Sequence, residues 1–462
     1  MAVRRSGRRD RARVESGRNR VTFARNASIT LATRAALILI GLVTSVIMAR
    51  ALGPAGRGLF SLAVVVSGMV FNATNLGVGA ASGYYLGRKK TPVAELAGNL
   101  LSLSVAIGAA ALAVSLAFSS VLVSRFLPSV PLWAVVVALF TVPFSGLLCN
   151  FQMLFRAKND FRNFNVVEIL QPGSYFVFFV LCLVFVPTHL FGASIAVFLV
   201  SNIIAGLGAV LLMRRCVQFG FRWDPAIVKG TLRFGVQQNV ASFLDVLNYR
   251  FDMLLVNYFL DPAYVGFYSI SLVIPEKLWN IPNVLSSVLH PRVANAGNEN
   301  DANRETAQVS RITVLIIGMA CIAILLLGRL LIRLLYSDRF LPAVTPMVIL
   351  LPGILMISVA KVLTSALVAR GYPRANLWAG LVAVASNVAC NVVLIPRMQI
   401  SGAALASTVS YTLYAVVIVS YFMRVTGARL GSLVAPTAGD ARYLARTVGR
   451  ELSRMFAPKG EG

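Results

Sequence analysis

The chain has 462 residues, of which 57% are hydrophobic and 13% are charged, and its formal net charge is +26 at pH 7. Soluble domains carry about 25% charged residues, so this composition excludes an ordinary soluble protein and predicts one whose solvent is lipid. Nucleic-acid binding, which a high positive charge otherwise suggests, is disfavoured because the sequence contains no RNA- or DNA-binding motif.

Twelve apolar runs are each long enough for a membrane-spanning helix, which needs about 20 apolar residues. In chain order they cover residues 28–50, 58–83, 93–123, 132–154, 164–186, 190–213, 234–260, 263–290, 312–335, 342–369, 376–395 and 400–423. The links between them are short. The predicted fold class is therefore an all-α, multi-pass membrane protein.

Three basic segments lie outside these runs. Residues 1–27 form an Arg-rich arm with no apolar face, predicted to be disordered and cytoplasmic. Residues 214–233 form a cytoplasmic linker. Residues 424–462 form a cytoplasmic tail with one predicted amphipathic helix, a pattern that favours binding to anionic membrane lipids. Its apolar face consists of Leu444, Val448, Leu452 and Met455, and its basic face consists of Arg442, Arg446, Arg450 and Arg454.

The distribution of lysine and arginine predicts the orientation of the chain. If the N-terminus is inside, the inner segments hold 32 of the 43 basic residues and the outer segments hold seven. The other four lie inside spans. Because the number of spans is even, both termini are predicted to be cytoplasmic.

One phrase occurs in both halves of the chain. The stretches ALGPAGRGLFSLA and FLDPAYVGFYSIS align at a shift of 208 residues. Each copy has a proline, Pro54 or Pro262, that starts a helix. Each also has a glycine one turn later, Gly58 or Gly266, that allows close helix contact.

Six predicted spans precede the linker and six follow it. The chain is therefore predicted to contain a six-helix lobe at residues 28–213 and a second at residues 234–423. Since six is even, both lobes cross the membrane in the same sense, as a parallel repeat.

Polar side chains recur on one face of the predicted seventh helix and, at repeat-related positions, on the first, second and eighth helices. These stripes predict two lobes that face each other across a wet central cavity. Charged groups at mid-membrane depth are costly and normally face a cavity or a partner, whereas asparagine and serine also serve as helix-packing groups. The candidate cavity residues are Arg34, Asn72, Asn75, Ser242, Asp245, Tyr249, Asp252, Glu276, Asn280 and Asn283.

Three further charges lie inside the spans, namely Arg250, Lys277 and Lys361. Arg250 lies off the stripe and is expected to pair with an acid on a neighbouring helix. The sequence contains no nucleophile–base pair, Gly-rich phosphate loop or zinc spacing, and its five cysteines have neither metal nor disulfide spacing. It therefore predicts a protein that is not an enzyme and holds no metal or cofactor.

Four segments carry a family resemblance: MARALGPAGRGLFSLA, GVGAASGYYLGRKK, DMLLVNYFLDPAYVGFYSIS and LHPRVA. They resemble the O-antigen (Wzx-type) polysaccharide biosynthesis flippases of the multidrug/oligosaccharidyl-lipid/polysaccharide (MOP) exporter superfamily. The resemblance covers about residues 25–425. It implies translocation of an undecaprenyl-diphosphate-linked oligosaccharide from the inner to the outer leaflet of a bacterial plasma membrane by alternating access. Arg34 is expected to bind the diphosphate, since a guanidinium offers a planar fork to phosphate oxygens.

The implied partners are the lipid-linked glycan, a polysaccharide polymerase and glycosyltransferases. Coupling to H⁺, Na⁺ or the membrane potential stays open, because Asp245 and Asp252 are both candidates for carrying an ion. Three alternatives also stay open. A drug or cation antiporter would use the acids Asp245, Asp252 and Glu276, and a lipid II flippase usually has fourteen helices. A polysaccharide polymerase or ligase usually has a large outer loop.

Overall fold

The computed structural model describes residues 3–440 and residue 442, with side chains described from Ile29 onward except those of Leu31, Gln237 and Gln238. The regular structure of these residues is helical throughout, which confirms the predicted all-α class. The α-helices are α1 Val3–Thr74, α2 Ala81–Gly87, α3 Val93–Phe126, α4 Leu132–Leu139, α5 Thr141–Ala157, α6 Phe161–Phe185, α7 Leu190–Cys216, α8 Pro225–Phe259, α9 Pro262–Lys277, α10 Asn280–Ala294, α11 Glu299–Tyr336, α12 Val344–Ala369, α13 Arg374–Thr426 and α14 Leu430–Val434.

Eight helical stretches in the described part of the chain are long and apolar enough to cross a membrane. They are Ala32–Thr74, Val93–Phe126, Leu132–Ala157, Phe161–Phe185, Pro187–Cys216, Glu299–Tyr336, Asp338–Ala369 and Arg374–Thr426. The chain is thus a multi-pass membrane protein. The first and last stretches each hold two predicted spans, which meet at a residue with positive φ, Gly53 (67°) or Gln399 (53°).

The predicted seventh and eighth spans are helical but are not among those eight. The seventh corresponds to α8, in which charged side chains lower the hydropathy. The eighth was predicted as one helix over residues 263–290, and this is wrong: α9 ends at Lys277 and α10 begins at Asn280. Pro275 lies just before the break and lacks an N–H to continue the hydrogen-bond ladder.

The predicted second span is also interrupted. The helix predicted to reach residue 83 ends at Thr74, and α2 starts at Ala81. Leu76 and Gly77 have φ values of 50° and 63°, which no right-handed helix contains. The polar stripes predicted on the second and eighth helices therefore do not each run along one straight helix.

Two of the basic segments differ from their predictions. The arm predicted to be disordered is helical from Val3 onward, because its arginines and alanines favour helix and the adjoining span supplies the nucleus. The linker predicted at residues 214–233 is shorter, since α7 ends at Cys216 and α8 begins at Pro225. The amphipathic tail helix predicted around residues 442–455 lies almost wholly outside the described residues.

Contacts divide the chain into two compact units. Unit 1 contains Met1–Leu52 and Ala63–Asn239, and unit 2 contains Gly53–Leu62 and Val240–Gly462. The core of unit 2 is formed mainly by α11, α12 and α13, and a core of unit 1 by α3, α5 and α7.

The two copies of the repeated phrase pack against each other inside unit 2. A Cβ atom added to Gly58 would overlap the carbonyl oxygen of Pro262, and one added to Gly266 would overlap that of Pro54. This reciprocal contact confirms the prediction that both glycines allow close helix approach. A larger residue at either position would force the two backbones apart.

Each unit has a segment after its last long helix that folds back on an earlier helix. In unit 1, the backbone N–H groups of Arg222 and Asp224 donate to Ser102 and Asn99 on α3. In unit 2, the guanidinium of Arg311 on α11 donates two hydrogen bonds, of 2.7 and 3.1 Å, to the carboxylate of Asp440. These hydrogen bonds hold the pKa of Asp440 well below its usual range.

Candidate functional site

Arg34 on α1 forms an ion pair at the predicted polar face of unit 1. Its Nη2 lies 3.2 Å from Oε1 of Glu168 on α6, and the arginine side chain is 52% exposed. Asn165, one turn before Glu168, donates through Nδ2 to Thr30 Oγ1 at 3.2 Å. The sequence patterns gave no sign of this pairing, because Glu168 lies 134 residues from Arg34 along the chain. The exposed guanidinium leaves N–H groups available for a ligand.

The two candidate asparagines of unit 1 have different surroundings. The Nδ2 of Asn72 donates to the carbonyl oxygen of Gly68 at 2.8 Å, and the carbonyl oxygen of Asn72 accepts from Asn239 at 2.9 Å. Asn75 lines a cavity of about 10 Å³ that also touches Ser104, which is room for about one water molecule. Helix packing accounts for Asn72, and the cavity at Asn75 is too small for a sugar.

Asp252 on α8 is completely buried in unit 2. Its Oδ2 accepts hydrogen bonds from the hydroxyl groups of Tyr268, at 2.5 Å, and Ser407, at 3.1 Å. Its Oδ1 accepts from the backbone N–H of Met253 at 2.8 Å. Asn387 extends the network by donating to Ser407. Asp252 was predicted to line the cavity, but here its carboxylate has three donors and no exposed surface.

Arg250 pairs with Glu276 on α9, which confirms the expectation of an acidic partner on a neighbouring helix. The contact is bidentate, with N–O distances of 2.8 and 2.9 Å. Fork-to-fork geometry of this kind gives strong, well-oriented ion pairs. Glu276 was predicted as a cavity residue, and in this structure both of its carboxylate oxygens bind Arg250.

Five side chains from three helices and one interhelical turn meet at a second place in unit 2. The Lys361 ammonium on α12 lies 5.2 Å from the ring centroid of Trp279 and 5.7 Å from that of Tyr249. The two rings are 4.6 Å apart, and Tyr411 on α13 packs on both. Asp245, one turn before Tyr249 on α8, interacts electrostatically with Lys361. We call Asp245, Tyr249, Trp279 and Lys361 the aromatic–charge cluster.

The structure places the remaining candidates at less distinctive positions. Ser242, Lys277 and Asn283 are exposed. Asn280 begins α10 and donates to the carbonyl oxygen of Lys277 at 3.0 Å. The break between α9 and α10 separates Glu276 from the two asparagines, so the stripe predicted for the eighth helix is not continuous.

Sequence analysis did not single out Trp279, Tyr268, Ser407 or Asn387. No local signal identifies Trp279, because its partners Tyr249 and Lys361 lie 30 and 82 residues away. Asn387 and Asn391 are four residues apart on α13, and Asn391 donates to Asn387 at 2.8 Å. That spacing was the available signal for a buried polar face.

The described residues contain no group of three or more metal-ligating side chains.

The chain resembles known proteins both in sequence and in fold. The sequence profile of a family described as polysaccharide biosynthesis protein matches residues 47–345. No curated protein matches the sequence.

Several solved structures share the fold. One is the lipid II flippase MurJ in an inward closed conformation, with a TM-score of 0.73 and 12% identity over 92% of this chain and 96% of that one. Another is an inward-facing multidrug resistance MATE family transporter of the MOP superfamily, with a TM-score of 0.71 and 14% identity over 85% and 94%. A third is a MOP superfamily transporter from Pyrococcus furiosus, with a TM-score of 0.60 and 14% identity over 87% and 94%. At these identities the likeness shows the fold, which is that of the MOP superfamily.

Proposed function

Because the chain belongs to the polysaccharide biosynthesis protein family, we propose that it translocates an undecaprenyl-diphosphate-linked oligosaccharide across a bacterial plasma membrane. The glycan would move from the inner to the outer leaflet by alternating access. The MOP fold supports transport, since the solved proteins that share it are a flippase and transporters. The substrate class follows from the family and from one charged group.

That group is the guanidinium of Arg34. Half of its side chain is exposed although it lies on a membrane-spanning helix. Its Nη2 lies 3.2 Å from Oε1 of Glu168, and half of the arginine side chain stays exposed beside that contact. A charge kept at such a position is costly and normally serves a ligand or a pathway. A planar fork with free N–H groups suits a diphosphate, which offers only acceptor oxygens.

The test is surface glycan display in cells that carry Arg34→Ala or Arg34→Lys at equal membrane abundance. We expect loss of display with alanine and partial display with lysine, because an ammonium supplies the charge without the fork. Arg125→Ala is the matched control, since Arg125 is exposed at the end of α3 and should leave display unchanged. Normal display with Arg34→Ala, or equal display with lysine and arginine, would refute the role of Arg34.

We propose that both termini are cytoplasmic. The proposal rests on the excess of basic residues in the predicted inner segments. A phosphatase that is active only outside the cytoplasm, fused after residue 462, should stay inactive. The same phosphatase inserted after residue 128, between α3 and α4, should be active. Strong activity at the C-terminal fusion would overturn this topology.

The driving force is proposed to be H⁺, Na⁺ or the membrane potential acting on buried charges of unit 2. The fully buried Asp252 supports a role for a carboxylate, since such groups are rare inside membranes without a function. The variant Asp252→Asn distinguishes a role of this carboxylate in ion coupling from a structural role. Loss of display with substrate binding intact indicates ion coupling, whereas loss of protein indicates a structural carboxylate.

A drug or cation antiporter is the second candidate function. It is favoured by the three acids of α8 and α9 in unit 2, Asp245, Asp252 and Glu276, and by the MATE transporters that share the fold. Two of these acids are occupied by hydrogen bonds from the protein itself. Growth in the presence of cationic drugs tests this candidate. Resistance conferred by this chain, with unchanged glycan display in its absence, would favour the antiporter.

A further inference from the structure

The aromatic–charge cluster of unit 2 contains hydrogen-bonding groups that no described residue satisfies. The carboxylate of Asp245 and the ammonium of Lys361 interact electrostatically, yet among the described side chains neither group has a hydrogen-bond partner or a direct ion pair. The indole N–H of Trp279 is buried and also lacks a partner within the described residues. Buried polar groups are normally paired, and this unpaired indole N–H lies in a cluster with two half-buried charges, so the combination points to a ligand.

The chemistry of the three groups restricts what that ligand is. A carboxylate only accepts hydrogen bonds, whereas an ammonium and an indole N–H only donate them. A ligand that satisfies all three must therefore both donate and accept. Hydroxyl groups do both. A diphosphate only accepts, and it would lie against the negative charge of Asp245.

The aromatic rings further restrict the class of ligand. Trp279 and Tyr249 present two large faces with centroids 4.6 Å apart, and such faces pack against the apolar C–H face of a sugar ring. Aromatic walls with a few placed polar groups are typical of small-molecule sites. A cationic drug is a poor fit, because the Lys361 ammonium already lies within cation–π distance of both rings.

Polar groups near the cluster are hydrogen-bonded to one another. The hydroxyl of Tyr414 donates to Asn376 Oδ1 at 2.5 Å and lies 3.3 Å from the hydroxyl of Thr364. Thr364 follows Lys361 by three residues on α12, so the two side chains share one face of that helix. A specific binding site requires side chains that are held in place, and here Tyr411 packs against both Tyr249 and Trp279.

We propose that Asp245, Tyr249, Trp279 and Lys361 form a subsite that binds one sugar ring of the transported glycan through its hydroxyl groups. The inference rests on the proposed function and assigns to unit 2 the recognition of the sugar. It differs from the role of Arg34, which concerns the diphosphate.

The experiment measures binding of two probes to the purified full chain in detergent micelles. One probe is the polyprenyl-diphosphate glycan pool extracted from the source cells, and the other is undecaprenyl diphosphate without sugar. For Trp279→Ala and Asp245→Asn we expect the dissociation constant of the glycan probe to rise about tenfold, the ratio given by about 1.4 kcal/mol. The dissociation constant of the bare lipid should stay within about twofold of wild type, a difference below about 0.5 kcal/mol. Trp378→Ala, on an exposed part of α13, should change neither.

The two binding measurements distinguish failure of the subsite from failure of the proposed function. Equal losses for both probes, or no loss for either, would overturn the subsite. A wild-type chain that binds the bare lipid as tightly as the glycan probe would overturn the subsite and leave the proposed function standing. A wild-type chain that binds neither probe would refute the proposed function, and the subsite with it.

A charge-exchanged double variant, Asp245→Lys with Lys361→Asp, tests whether the two charges matter only as a structural pair. An ion pair that only supports the fold should tolerate the exchange, whereas a sugar site should not, because donors and acceptors change places. We expect glycan binding to remain lost in the double variant and bare-lipid binding to remain intact. Recovery of glycan binding would overturn the proposal.

Discussion

Units 1 and 2 place their charges differently. In unit 1 the charged contacts lie at exposed positions, as in the Arg34–Glu168 pair and in the Arg222–Glu95 pair, whose arginine is 59% exposed. In unit 2 the Arg250–Glu276 and Arg311–Asp440 pairs are more buried, whereas the Arg333–Asp338 pair is exposed. Arg311 is 17% exposed in its pair with Asp440, and Asp252 is completely buried.

The repeat makes this difference measurable position by position. At the shift of 208 residues, Asp245 corresponds to Leu37, Asp252 to Thr44 and Glu276 to Gly68. The second half of the chain therefore has acids at three positions where the first half has leucine, threonine or glycine. At these repeat-related positions only the copy in unit 2 carries an acidic side chain.

The largest difference in stability between the two units is expected when Asp252 is replaced. Asp252→Leu leaves the Tyr268 hydroxyl, the Ser407 hydroxyl and the Met253 N–H without their acceptor. We expect a loss of about 3 kcal/mol in unfolding free energy, since each buried unsatisfied group costs about 1–3 kcal/mol. Thermal unfolding in detergent micelles measures it.

The matched change in unit 1 is Thr44→Val. The Thr44 hydroxyl donates to the carbonyl oxygen of Ile40 on its own helix at 2.6 Å. Its removal should cost less than about 1 kcal/mol. Equal losses for the two variants would contradict the claim that Asp252 stabilises unit 2 more than Thr44 stabilises unit 1.

The next largest difference in stability is expected between variants of Arg250 on α8 and Arg34 on α1. Arg250→Met removes both hydrogen-bond donors of the Glu276 carboxylate, and the Glu276 side chain is only 17% exposed. We expect a loss of about 2 kcal/mol, below the 3–5 kcal/mol typical of fully buried pairs. Arg34→Met should cost less than about 1 kcal/mol, as for other solvent-exposed pairs. Unfolding midpoints of the two variants provide the measurement, and a reversed order would refute the comparison.

The smallest difference in stability is expected between the two segments that fold back on an earlier helix. One contains Arg222 and Asp224, and the other contains Asp440. Asp440→Asn removes the charge that Arg311 binds, and Glu95→Gln removes the exposed partner of Arg222. Trypsin cleavage after Arg429 should accelerate about tenfold in the first variant, because charge-assisted hydrogen bonds contribute about 1.5–3 kcal/mol. Cleavage after Arg222 should change less than about twofold in the second.

The pH dependence of this contact has a defined sign. The pKa of Asp440 is lowered in the folded chain by the Arg311 hydrogen bonds. Its stabilising effect is therefore complete above the unfolded pKa of about 3.9 and is lost as the pH falls through the lower folded value. Cleavage of the wild-type chain after Arg429 by a protease active over the range should be constant between about pH 5 and 8. A rise in cleavage on acidification from pH 8 to 5 would contradict this assignment.

Local sequence rules predicted the features of this protein that depend on local chemistry. Run length and hydropathy located the helices, and the repeated Gly58 and Gly266 predicted a close contact that the structure contains. The position of Arg250 off the polar stripe predicted an acidic partner, which is Glu276.

Features that depend on distant contacts were not predictable in this way. The break at Leu76 and Gly77 has positive φ values that no helix-breaking proline announces. Trp279 meets Lys361 only because α12 packs beside the turn between α9 and α10, and hydropathy carries no information about that pairing. The sequence places a charge on a helix face, but tertiary packing decides whether it is exposed, paired or buried.

Translocation in reconstituted vesicles tests the central claim most directly. Purified full chain is incorporated into liposomes that carry a fluorescently labelled polyprenyl-diphosphate glycan in both leaflets, and a membrane-impermeant reagent destroys the label that is accessible from outside. With an imposed ion gradient or membrane potential, we predict that the wild-type chain exposes the inner-leaflet glycan, so that the protected fluorescence decays. Protein-free liposomes and liposomes with Arg34→Ala should keep it. Protected fluorescence that persists with the wild-type chain under every imposed gradient would contradict the account.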